Sequence, residues 1–406
     1  MIGPWAHSYP QTGMPGPAIG FLQETLRWWD KWLKGIETGI MDEPMLRAWM
    51  QESVRPAPWR AERPGRWVAE TAWPGPGITP RRFYLAADGI ADSAGAATPI
   101  AFSSPESLGV CSGTWCPYGI APDDPSDQRE EDGKSLVFDT APLTERIEIL
   151  GAPFIEVEVS ADRPNAKLIA RLCDVHPDGA STRVSYGVLN LTHRDSDLHP
   201  TPLQPDKKYS VRLQLNDISY TFPPGHRIRI ALSTTYFPLT WPSPERTTLT
   251  LTAGPASLCL PARPLNSADA LLKEFPPPVT SPPESRTQVR ASERRRTVTR
   301  DAMSGETVYT TLDDDGRTRI DAIDLEVASS RFHEYRIRDD DPLSCRMESR
   351  WTKEMGRGDF QIRTATRVVM TATRENFLLH AELDAWDGDR RVCARNFDRT
   401  IPRDLV

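Results

Sequence analysis

Ile155-Glu156-Val157-Glu158-Val159 alternates apolar and charged side chains with a period of two. An extended chain sends successive side chains to opposite faces, so this run reads as a strand with one face buried and one face wet. The same pattern recurs downstream. Tyr209, Val211, Leu213 and Leu215 alternate with Ser210, Arg212, Gln214 and Asn216. Ile228, Ile230 and Leu232 alternate with Arg227, Arg229 and Ala231, and Leu249 and Leu251 sit between threonines. Each is the signature of a half-buried strand in an antiparallel sheet. Pro177-Asp178-Gly179 and Pro223-Pro224-Gly225 supply turns between such runs. The segment from Trp67 to Pro261 therefore predicts a mainly β fold, a β-sandwich of the jelly-roll kind.

Outward from this centre the pattern changes on both sides. Toward the N-terminus, Ala18 to Lys34 reads as a helix, with Ile19, Leu22, Leu26, Trp29 and Leu33 forming one stripe and Gly35 as its stop. Trp28, Trp29 and Trp32 are expected to pack into a core. Pro44 to Met50 reads as a strand. Toward the C-terminus, Pro276-Pro277-Pro278 and Pro282-Pro283 mark a stiff, extended linker. The arginines from Arg286 to Arg300 precede acidic runs at Asp313–Asp315 and Asp339–Asp341, which favours a solvated strand face over a nucleic-acid surface. Beyond them lies a small antiparallel β module, with hairpin turns expected at Asp315-Gly316 and Asp387-Gly388.

Composition bounds the function. The 406 residues carry a net charge of −7, so neither nucleic acid nor an anionic membrane is expected as a partner. No apolar stretch is long enough to cross a bilayer, and no secretory signal is visible at the start. The six cysteines are scattered without zinc-ligand spacing, and Cys111 and Cys116 are read as reduced thiols of a cytoplasmic protein. The 38 prolines punctuate the chain into short strands and loops.

The chemistry-bearing residues are few. His7 stands in Ile2-Gly3-Pro4-Trp5-Ala6-His7. Ser185, in Val184-Ser185-Tyr186-Gly187, lacks the glycine two residues earlier that a nucleophile elbow needs, and reads as a strand residue. His193, Asp195, Asp197 and His199 fit no metal motif and read as a polar loop. His226 is expected to cap a turn. Tyr236, Phe237, Trp241 and Pro242 form an aromatic loop suited to sandwich packing, a pocket wall or a domain interface.

Several blocks together resemble the CocE/NonD serine hydrolases, a family that includes X-Pro dipeptidyl-peptidases and cocaine-esterase-type enzymes. They are the Gly3-Pro4-Trp5-Ala6-His7 segment, the Trp-rich Leu26–Gly35 helix, Asp127-Gln128-Arg129, Leu136–Thr140, Leu150–Pro153, Gly187–Arg194 and Pro224–Arg229. The likeness covers roughly residues 1–261. It implies four units: residues 1–65, the C-terminal remnant of an α/β-hydrolase domain; residues 66–263, a galactose-binding-like jelly roll; residues 264–285, a Pro-rich linker; and residues 286–406, an antiparallel β extension. It makes His7 the base of a Ser-His-Asp triad, accepting the serine proton during acyl transfer. In α/β-hydrolases the histidine follows both partners along the chain. The resemblance thus implies a C-terminal fragment without serine or aspartate, inactive alone, needing no cofactor or metal. The implied substrates are small esters, amides or peptides. A homo-oligomer or a separate hydrolase half are the partner classes to consider. The competing reading is a non-catalytic sandwich that binds carbohydrate or protein.

Overall fold

A computed structural model describes residues 1–406. Strands dominate, and they fall into three sheets. The largest has eleven strands and the second has four, in the order 181–190, 167–175, 227–233, 136–139. These two sheets face each other across the main core. Ile155, Val157 and Val159 of one pack with Leu168, Ala170, Leu172, Ile228, Ile230 and Leu232 of the other. The alternating runs thus fold as expected: Phe154–Ala161, Tyr209–Gln214, Arg227–Ser233 and Leu249–Ala253 are strands. Gly179 and Gly225 take positive φ, the first in the hairpin between Lys167–Val175 and Ser181–Asn190, the second where the chain passes from the large sheet to the second.

One buried ion cluster ties the second sheet together. The four-residue helix Arg129–Asp132 brings Asp132 to Arg171 at 3.0 Å and to Arg229 at 2.9 Å. Gln128 accepts from Arg171 at 3.0 Å, and the Ser181 hydroxyl donates to Asp132 at 2.7 Å. Arg171 is wholly buried. A guanidinium removed from water is tolerable only when neutralised and hydrogen-bonded on several sides. Glu131, beside it, accepts the backbone N–H groups of Gly109 and Cys111, each at 2.8 Å.

The N-terminal part attaches to the large sheet by parallel contacts. Ile2 bridges Ala48 in parallel, and the strand Leu46–Gln51 continues in parallel with Ile218–Phe222. Helix α1, Phe21–Lys34, lies between Ile2 and Ala48 in sequence. The Ile2 bridge, the helix and the strand Leu46–Gln51 thus follow one another in the order of a crossover connection. Gly35 ends α1 with φ of +69°, as its position suggested. The tryptophans behave otherwise than expected. Trp28, Trp29 and Trp32 are exposed, as are Leu22, Leu26 and Leu33, and the single buried residue of the helix is Glu24. The polar side of α1 faces inward, where Arg27 pairs with Glu24 at 2.6 Å and Glu43 at 2.5 Å. Of the predicted stripe only Ile19 is buried; Leu22, Leu26, Trp29 and Leu33 point to solvent.

The Pro-rich stretch from Pro276 to Pro283 carries no helix or strand and is anchored to the N-terminal part. The Gly20 N–H donates to the Pro276 carbonyl, and Arg47 lies 3.7 Å over the Phe275 ring. After it, residues 286–402 form an eight-stranded antiparallel sheet with strands of up to 17 residues. Arg290 pairs with Asp314 and Arg294 with Asp315 on exposed strands, in line with a solvated face. Asp387-Gly388 turns a hairpin between Asn376–Asp387 and Arg390–Pro402. Asp315-Gly316 does not. It lies inside the strand Glu306–Ile320, where the register slips between Asp314 and Arg317 and Gly316 takes φ of +74°. The glycine serves a bulge instead of a turn. Tyr309, Ile337 and Cys345 of this sheet pack on Val110 and Phe237. The last strand is fully exposed apart from Cys393 and carries Arg390, Arg391, Arg395 and Arg399. No helix of the chain is long and apolar enough to cross a membrane.

Replacing Asp132 with Asn leaves two guanidiniums facing a neutral amide. Urea denaturation should show a loss of about 3 kcal/mol, the scale of breaking a buried ion pair from one side.

Candidate functional site

His7 sits on a loop shaped by its neighbours. The Ile2 N–H donates to the Arg47 carbonyl at 2.8 Å, and the Trp49 N–H to the Ile2 carbonyl at 2.9 Å. The Trp5 indole N–H donates to the Pro17 carbonyl at 2.8 Å, which lays the ring over Gly3 and Gly13. A Cβ at Gly13 would meet that ring at 2.0 Å, and one at Gly3 at 2.5 Å. The Gly-Pro-Trp spelling therefore has a local cause: the indole needs both glycines bare. Ala6 and His7 are then pinned by backbone bonds to Met14 and Pro117, at 3.0 and 2.8 Å. The imidazole is exposed and stands edge-on to Tyr118, with ring centroids 5.0 Å apart. Tyr118 belongs to a loop closed on Asp123, whose carboxylate accepts the Tyr118 N–H at 2.7 Å. Asp123 in turn pairs with Arg296 of the third sheet at 2.8 Å. The C-terminal sheet thus braces the loop on which His7 rests.

Ser185 is a strand residue, within Ser181–Asn190. It is 4% exposed, and its hydroxyl donates to the Asn216 carbonyl at 2.6 Å. Of the polar loop, His193 approaches Asp197 at 3.4 Å, while Asp195 pairs with Arg194. Asp195, Asp197 and His199 are exposed. The aromatic loop divides its work. Tyr236 packs with Leu108, Ile169 and Tyr186 inside the sandwich, whereas Phe237 and Trp241 meet Tyr335 and Phe377 of the third sheet.

The constellation that sequence reading did not find centres on Asp174. It is fully buried and accepts from Ser53 at 2.5 Å, Tyr220 at 2.8 Å and His226 Nδ1 at 2.8 Å. His226 is therefore more than a turn cap. The His176 ring packs against the His226 ring at a tilt, with centroids 4.5 Å apart, and its Nε2 meets the Thr182 hydroxyl at 3.1 Å. The ligand atoms of Asp174, His176 and His226 lie within 4.8 Å of one another. Three protein groups already bond to the carboxylate, which makes it a hydrogen-bonding hub joining residue 53 to the strands at 174 and 220. The available signal was an acid in Lys167–Val175, a strand buried along its whole length.

The two facing sheets, with the buried Asp174 hub between strands and the His7 loop at one end, define a β-sandwich class of domain. The chain belongs to the family described as X-Pro dipeptidyl-peptidase C-terminal non-catalytic domain, whose profile matches residues 38–269. Among curated proteins it is 25% identical over 262 residues to the cocaine esterase of Rhodococcus sp. (strain MB1 Bresler), covering 59% of this chain and 44% of that enzyme. The chain thus spans less than half the length of the curated relatives first matched. Among solved structures, an alpha-amino acid ester hydrolase aligns with a TM-score of 0.51 at 22% identity, over 64% of this chain and 50% of the other. An aminopeptidase from a marine sediment Thaumarchaeota archaeon aligns with a TM-score of 0.50 at 20% identity, over 65% and 49%. These likenesses concern the fold. The relatives are hydrolases, esterases and dipeptidyl-peptidases by name.

Burial holds the His176 ring below the usual imidazole pKa, partly opposed by Asp174. The unfolded chain therefore takes up this proton first as pH falls below about 6.5. The stability that neutral His176 contributes is present above that pH and lost below it. The urea midpoint should drop between pH 7 and pH 5, and His176→Asn should flatten that drop.

Proposed function

We propose that the chain is the C-terminal part of a CocE/NonD-type serine hydrolase that cleaves an ester, an amide or an X-Pro dipeptide through an acyl-serine. In this reading residues 1–65 are the end of the α/β-hydrolase domain, and the facing sheets are its jelly-roll partner. His7 is the triad base. The serine and the carboxylate are supplied by polypeptide outside these 406 residues.

The observation that carries this reading is the inverted helix in a crossover connection. Ile2 pairs in parallel with Ala48, and α1 crosses between them. A helix in such a connection ordinarily buries its apolar side against a sheet or a further layer. Here the apolar side of that helix is bare, with Trp29 49% and Trp32 55% exposed. A stripe of six large apolar side chains facing water is costly, and it marks a surface made to be covered. The exposed His7 ring belongs to the same corner, since Tyr9, two residues on, stacks on Phe21 of α1.

The chemistry follows from placement. A serine hydroxyl entering from the missing side would give its proton to the imidazole as it attacks the carbonyl, and the imidazolium would pass that proton to the leaving group. The backbone bonds to Pro117 and Met14 hold the loop, so the ring needs little reorganisation. No cofactor enters this scheme.

A fluorophosphonate probe should leave the purified 406-residue protein unlabelled. Joined at its N-terminus to a CocE/NonD-type segment that carries the serine and carboxylate, the protein should label at one serine and hydrolyse p-nitrophenyl acetate. His7→Ala in that longer protein should lower kcat by about 10³-fold or more. Stoichiometric labelling of the short chain, or full activity of the longer His7→Ala protein, contradicts the proposal. Glycan binding by the sandwich without hydrolysis by the longer protein would favour the binding-module reading.

A further inference from the structure

Behind the loop that carries His7 lies a cavity of about 310 Å³, between the N-terminal segment and the sandwich. Its walls are of two kinds. Trp5, Pro56, Val184, Ile218 and Tyr220 present apolar or aromatic surface. Arg60, Arg63 and Arg183 present guanidiniums. Their bonding is unusual for this chain, in which most arginines pair with a carboxylate. Arg183 donates to the neutral Tyr236 hydroxyl at 2.6 Å and lies 4.4 Å over the Tyr186 ring. Arg60 donates to the Arg55 carbonyl. Arg63 sits 5.8 Å over the Tyr220 ring, and its Nε is buried without any partner.

Two acids share the lining, Asp124 and the exposed Asp217. Three guanidiniums against two carboxylates leave an excess of one positive charge. Burial also works against the charges already there: it lowers the pKa of Arg60 and Arg63 and raises that of Asp124. Guanidiniums held in this way, half-buried, bonded to neutral groups and sharing one nearby carboxylate in Asp124, gain from a ligand that brings the missing charge with it.

We infer that this cavity is a binding site for a small organic carboxylate with an apolar body, its carboxylate on Arg63 and Arg183 and its ring or chain against Trp5 and Ile218. Arginine suits the task because its planar fork matches both oxygens of a carboxylate. The volume is at the lower end for small-molecule sites, enough for one ring and a short substituent. The site stands apart from the role proposed for His7, since none of the groups it uses acts on a scissile bond.

Calorimetric titration of the whole chain with benzoate, benzamide and inorganic phosphate tests the inference. Benzoate should bind one per chain, and benzamide, which has the same shape without the charge, should bind at least about tenfold more weakly. Arg63→Gln and Arg183→Gln should each weaken benzoate by about tenfold or more, while Arg63→Lys should retain part of the affinity. The benzoate–benzamide comparison uses the unaltered protein, so it decides even if a variant misfolds. Equal binding of the two, unchanged affinity in both folded Gln variants, or no benzoate binding would overturn the assignment. Phosphate binding without benzoate binding would also overturn it, because the apolar walls would then play no part.

Discussion

The fold depends on a charge that water cannot reach. Arg171 stands in the middle of the second sheet with no exposed surface, held by Asp132 and Gln128. Asp132 also serves Arg229 and Ser181, so one carboxylate fixes two neighbouring strands and the hairpin partner of one of them. Such a cluster adds little net stability compared with an apolar core of the same shape. Its effect is on register. Sliding any of these strands by one residue would strand a guanidinium among Leu and Ile side chains, at a cost of several kcal/mol. The short Arg129–Asp132 helix is thereby set, and with it Glu131 and the turn at Gly109 that leads toward the third sheet.

Much of this architecture was legible in the chain. The period-two runs at 155–159, 209–216 and 227–232 became strands because alternation is a local property that pleating reads directly. Gly35 and the turns at Gly179 and Gly225 were legible for the same reason. Misreadings came where the answer lay in something distant. Asp315-Gly316 has the composition of a turn, yet pairing on both sides drew it into a long strand as a bulge. Trp28, Trp29 and Trp32 form an apolar stripe, but a stripe says only that a surface wants cover, and not whether this chain provides it. Asp174 was hidden because its partners at 53, 220 and 226 are far apart in sequence. His7 was singled out through a motif, and the structure supplies the motif's physical content: two glycines kept bare for an indole and a backbone pinned to Pro117.

The third sheet has a part in this arrangement that its sequence did not suggest. Arg296 holds Asp123, Asp123 holds Tyr118, and Tyr118 meets the His7 ring. Phe237 and Trp241, leaving the sandwich on the aromatic loop, seat the same sheet through Tyr335 and Phe377. A segment that contributes no candidate catalytic group thus bears on the position of the His7 ring.

The outermost strand, Arg390–Pro402, ends that sheet with a free row of backbone donors and acceptors. An open edge of this length is an invitation to cross-β growth. Arg390 and Arg391 pair with Asp387 and Asp384 of the neighbouring strand, Arg395 and Arg399 add charge along the edge, and Pro402 closes the row. Charge along such an edge opposes the templating that an unusually long ladder would otherwise favour.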